Sequence, residues 1–296
     1  MRQYHVKVYV KNDALVVFSG PGGSGRSMGT LRSNPKSRMD AVIMDVEICV
    51  DSVESAIASA RGGAERVELC SALSEGGLTP SSGLIREVRA AVPIQLFVII
   101  RPRGGNFVYS DSELEVMRKD ILAAKALGVD GVVLGALTRD DEVDQPRTRE
   151  LIQLARPLQV TFHRAFDVCR DMNRALEAVI ATGADRILTS GGKIDAVSGM
   201  STIATLQQQA GRRIRIMVGG GIRASNVRRI ALHTGVREVH TSLNSDAKIS
   251  GSDGGVEIHR LRSEFAPFVV TESDVRAFKS ALPEVKAEKE PAAPER

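Results

Sequence analysis

The chain has 296 residues, 43% of them apolar, enough for one large core or two modest ones. No apolar run approaches the ~20 residues that cross a bilayer. The opening "MRQYHVKVYVKND" lacks a secretory apolar stretch, and three scattered cysteines make no disulfide framework, so membrane and secreted classes are set aside.

Residues 1–42 carry seven basic side chains against Asp13 and Asp40, so the leader accounts for the net charge of +4 and the remainder is nearly neutral. With no basic stripe interleaved with aromatics further on, nucleic acid is not an expected partner. Within the leader, "ALVVFSGPGGSGRSM" approaches a phosphate-binding loop that follows a strand. Arg26 stands where that loop needs a lysine, and Gly29 and Pro35 oppose the helix it must open. Residues 1–42 therefore read as an N-terminal extension: a flexible arm, an organelle-targeting segment, or the product of an upstream start ahead of Met39 or Met44.

From Asp45 a short apolar run, polar residues and a helical stretch recur eight times. The runs are "VEICV", "RVELC", "QLFVII", "GVVLGAL", "QVTFH", "RILTS", "IRIMVGGG" and "EVHTS". Before every second run the joint has the same wording, "GGAERVEL", "LGVDGVVL", "TGADRILT" and "TGVREVHT", a left-handed glycine ending a helix and then a strand. The expectation is one (β/α)8 TIM barrel over 43–282, with a closing helix at "TESDVRAF" and a disordered tail over 283–296. An open doubly wound sheet is the alternative, weakened by the lack of a G-x-G-x-x-G after the first strand.

Strand parity sorts the side chains. Val46, Ile48 and Val50 form an outward apolar set, which turns Glu47 and Cys49 inward. Val67 and Leu69 likewise leave Glu68 and Cys70 inside. Arg101 ends the third strand, Thr161 and His163 point in from the fifth, Thr189 and Ser190 end the sixth, and the eighth offers His240 and Ser242. Active sites of such barrels lie at the strand C-termini, so Glu47, Glu68, Arg101 and His163 are candidate catalytic groups. Adjacent buried carboxylates need a cationic partner, with Arg101 or Arg164 available; otherwise one glutamate has a raised pKa suited to acid–base work. Gly219, Gly220 and Gly221, ahead of a helix started by Ser225 or Asn226, are a candidate anion or phosphate seat. Cys49 and Cys70 form a soft pair suited to Cu(I); zinc would require two further ligands. Cys169 reads as structural, Asp167 and Asp171 as flanking or capping the next helix, and "RPRGGNFVYSD" as a lid or an ordered loop.

The segments "VEICVDSVESAIASARGGAERVELCSALSEGGLTPSSG", "IIRPRGGNFVYSDSELEVM", "VTFHRAFDVCRDMNRALE" and "LTSGGKIDA" resemble the CutC copper homeostasis family from about Met44 to His240. The resemblance implies a cytoplasmic, homo-oligomeric TIM barrel that handles copper, with Cys49 and Cys70 at the positions of the family's proposed ligands. The nucleus is a second compartment compatible with it. Past His240 the chain lacks the segment expected of the family. The expected function is copper homeostasis through Cu(I) on the paired cysteines. The alternative is an enzyme acting on a small polar or phosphorylated anion through the Glu/Arg/His mouth.

Overall fold

The computed structural model describes residues 7–11, 14–18, 41–42, 44–243, 269–283 and 285–286. The chain divides into Met1–Met39 and Asp40–Arg296. In the first unit Lys7–Lys11 pairs antiparallel with Ala14–Phe18. "ALVVF" is thus one arm of a hairpin, while the glycine-rich stretch after it lies outside the described residues.

The second unit is a closed barrel of eight parallel strands in chain order: β1 (Asp45–Val50), β2 (Arg66–Leu69), β3 (Gln95–Ile99), β4 (Gly131–Leu134), β5 (Gln159–Phe162), β6 (Arg186–Thr189), β7 (Arg215–Val218) and β8 (Glu238–Thr241). Closure, with β8 pairing β1, rules out the open sheet. The described helices are α1 (Val53–Gly62), α2 (Ser82–Ala91), α3 (Asp111–Ala126), α4 (Gln145–Ala155), α5 (Met172–Thr182), α6 (Ala196–Ala210), α7 (Val227–Thr234) and α8 (Glu272–Ser280).

The repeated joints do what their wording implies. Gly63, Gly128, Gly183 and Gly235 each follow a helix with positive φ, a conformation that costs glycine little. Three of the joints also carry an acid whose use the sequence did not disclose. Glu65, Asp130 and Asp185 accept the backbone N–H of Val46, Leu96 and Val160, so each ties its joint to the start of the preceding strand.

The outward residues Val46, Ile48, Val50, Val67, Leu69, Val98, Val132, Val160, Ile187 and Val239 are buried between strands and helices. Inside, the register and the one-residue stagger per strand of such a barrel group side chains in layers of four from alternate strands. From the strand N-termini these are Arg66, Gly131, Arg186 and Glu238; then Glu47, Phe97, Thr161 and Met217; then Glu68, Val133, Leu188 and His240; then Cys49, Ile99, His163 and Gly219. A Cβ on Gly131 would come 2.5 Å from the Phe97 ring, so that ring fills the layer only because Gly131 has no side chain.

Candidate functional site

The lowest layers are ionic. Arg66 pairs with Glu47 and, at 3.0 Å, with Glu238, which also pairs with Arg186. Both guanidiniums lie against the Phe97 ring, at 4.8 and 5.4 Å from its centroid. This differs from the expected pairing of the glutamates with Arg101 or Arg164. Arg66, Arg186 and Glu238 open their strands and stand first in their runs, where carrying the parity two residues back from Glu68, Leu188 and His240 would have found them.

The two inward glutamates differ in kind. Burial opposes charge on Glu47, but Arg66 and a bond from His240 Nδ1 at 2.7 Å outweigh it and hold the carboxyl at about 2. Glu68 gains no comparable partner. Burial pushes its pKa up, with the Glu47 charge adding to the rise, and His240 Nε2 stands 3.8 Å away. His240 has its pKa raised: burial opposes its charge, and Glu68 and Glu47 prevail. Sequence parity brought His240 to the mouth without a role; β8 closing against β1 gives it one.

Above this layer Cys49 Sγ, a Glu68 oxygen and a His240 nitrogen lie within 4.8 Å of one another. Cys70 Sγ is 3.6 Å from Cys49 Sγ. The thiols are neighbours, yet not equivalent: Cys49 borders the mouth cavity, whereas Cys70 is wholly buried behind it beside Gly77. The hydrogen bond with Cys70, burial and the Glu68 charge all push the Cys49 pKa far up, so its proton stays on until something displaces it.

The cavity encloses about 340 Å3 and is bordered by Cys49, Glu68, Arg101, His163 and His240, with Gly220 and Gly221 on the β7 side. Gly219 backs onto Leu188 and His240. Glu47 lies beneath the cavity and acts on it through its bond to His240 and its charge beside Glu68. Arg101 spends its guanidinium on the carbonyls of Glu75, Gly77 and Gly105, at 2.6, 3.1 and 2.9 Å, and so ties the loops after β2 and β3 together. Of the lid and the ordered loop expected here, the structure has the ordered loop, an anchored wall in which Arg103 adds bonds to Asn106, Val108 and Glu113 and Phe107 faces the cavity.

At the end of β6, Asp167 accepts the backbone N–H groups of Ser190 and Gly192 and pairs with Arg164. It fills a turn of that loop rather than capping α5, a role that falls to Asp171. Asn226 stands at the N-cap of α7. Cys169 is buried and pushed up to about 12 by burial and nearby acids, an inert thiol.

Residues 44–245 match the CutC family model. The human copper homeostasis protein cutC homolog is 52% identical over 200 residues, covering 68% of this chain and 73% of the relative. Its mouse counterpart is 46% identical over 244 residues, covering 81% and 90%. A crystal structure of CutC from Streptococcus agalactiae superposes with a TM-score of 0.65 at 37% identity, covering 67% of this chain and 98% of that one. A barrel with this mouth, matched over most of its length, is a member of the CutC copper homeostasis family.

Proposed function

We propose that the protein binds a Cu(I) ion at Cys49 and Cys70 and serves cytoplasmic copper handling. The observation that carries this reading is the 3.6 Å approach of the two sulfurs, with a Glu68 oxygen and a His240 nitrogen close to Cys49. Soft thiolate with imidazole suits Cu(I). The same four groups also supply the two further ligands that zinc needs for a tetrahedron, so Zn2+ is the competitor to test. Because Cys49 holds its proton tightly, metal uptake releases protons, and apparent affinity tightens as pH rises.

The test is anaerobic Cu(I) competition against a chromogenic chelator, with Zn2+ in parallel. One tight Cu(I) equivalent, lost in Cys49→Ser/Cys70→Ser, supports the reading. Equal weak binding by both proteins, or tight binding of Zn2+ alone, sinks it.

A second reading has its own observation. The cavity volume, about 340 Å3, is roughly eleven times the ~30 Å3 share of one water, far more than an ion and its ligands fill. It supports an enzyme acting on a small polar substrate, with Glu68 and His240 as the proton-carrying groups above Glu47.

A further inference from the structure

Two N–H donors in the cavity wall end on nothing. Arg101 and His163 border the cavity and are 5% and 4% exposed, yet Arg101 Nε and His163 Nε2 have no hydrogen-bond partner among the described residues. Buried donors are rarely left so, and each unpaired one calls for an acceptor. The other nitrogens of Arg101 bond carbonyl oxygens, and the neutral Tyr109 hydroxyl lies against the group, so its hydrogen bonds neutralise none of its charge. His163 is fixed as the tautomer that donates at Nε2, because its Nδ1 accepts the Ala165 N–H at 3.2 Å. Burial, reinforced by the Arg101 charge, holds its pKa at about 3, so the ring is a neutral donor. Phe107 neighbours both, 5.1 Å from the guanidinium and 4.9 Å from the imidazole.

We propose that Arg101 Nε and His163 Nε2 seat a carboxylate, and that the cavity takes a small monocarboxylic acid. A guanidinium and a neutral imidazole N–H each suit a carboxylate oxygen, and the Phe107 ring offers the cavity an apolar surface for the acid's carbon chain. The neighbouring turn whose backbone N–H groups would suit a phosphate is already filled by the protein's own Asp167. Glu68 and Glu75 border the same cavity and oppose a second carboxylate on the ligand. The volume admits an acid of several carbons bearing a hydroxyl or keto oxygen. This inference deepens the small-molecule reading of the cavity and is independent of copper.

The experiment is calorimetric titration of the full chain with lactate and 2-oxobutanoate to millimolar concentration, and with inorganic phosphate and citrate as controls. Two variants probe the seat. His163→Phe keeps a ring beside Phe107 and removes the donor. In Gly135→Ala the new Cβ would come 2.8 Å from His163 Nδ1, so the ring keeps its donor but is pushed out of position. The proposal expects both monocarboxylates to bind, and each variant to weaken them about tenfold or more, the loss of one charge-assisted hydrogen bond. Thermal melts confirm that the variants fold; should His163→Phe fail to, Gly135→Ala carries the test. Binding that neither variant moves places the acid elsewhere, overturning the seat while the small-molecule reading stands. Binding of phosphate alone overturns the carboxylate class. Binding of none of the four overturns the seat and the small-molecule reading together.

Discussion

Glu47 and Glu68 share a parity on neighbouring strands, yet one is held charged by Arg66 and the other is pushed toward its neutral form by burial. Removing the charge from Glu47 leaves Arg66 and His240 each short of an anion. Glu47→Gln should therefore cost about 3–5 kcal/mol in denaturant unfolding, the range for breaking a buried pair. It should also lower the pKa of His240, read from its ring proton in an NMR titration. The two mouth histidines act in opposite directions on stability. His163, near 3 when folded against 6.5 when free, contributes stability present above pH 6.5 and lost as pH falls toward 3. His240, raised when folded, contributes stability present below its unfolded value and lost as pH rises through its folded one. Stability is thus expected to decline on the acid side by up to about 1.4 kcal/mol per pH unit through His163. His163→Phe should flatten that acid limb in urea midpoints measured from pH 6.5 downward, and an unchanged limb would refute the assignment.

Among the elements, the alternate joints are the repeating unit. Asp185 accepts the Val160 N–H and an Arg156 N–H, both at 2.7 Å, and so fastens the α5–β6 joint to the start of β5. Asp185→Ala should cost about 1–3 kcal/mol by leaving the Val160 donor unpaired, checked by equilibrium unfolding. The helix expected at "TESDVRAF" is α8, which packs on α1. Gly62 leaves room for Val275, and Lys279 bonds the Gly63 carbonyl at 2.6 Å. The joints were legible because a left-handed glycine followed by β-branched residues has one common use. Their acids were not, because a carboxylate after a helix reads equally as surface charge until the strand beside it is known.

For the molecule as a whole, eight strands were readable from period, and the inward faces of β1, β2, β5 and β8 from parity. The mouth was readable wherever an inward residue ended an apolar run, as with Glu68, Cys49 and His163. What escaped was set by closure and by loops: the ionic lower layers and the Glu47–His240 bond require β8 beside β1. The seclusion of Cys70 depends on the turn at Gly77, and the true work of Arg101 on two loops it joins. The closing helix matters at this scale too. It buries Val275 and Phe278, and a chain ending at residue 268 loses their burial, roughly 1.5–3 kcal/mol for each side chain before ordering costs. Such a chain should melt at a lower temperature than the full chain by calorimetry.

Phe97, clamped between Arg66 and Arg186 with Gly131 yielding it space, stops the barrel below the cavity. Among the described residues the chamber is lined at the strand C-termini. An ion bound at Cys49 and His240 as proposed would lie deeper than an acid held by Arg101, so the first to enter would be the last to leave. On that proposal, a protein receiving the ion would have to meet the mouth after the outer occupant had cleared it, and departure rather than capture would set the pace of exchange.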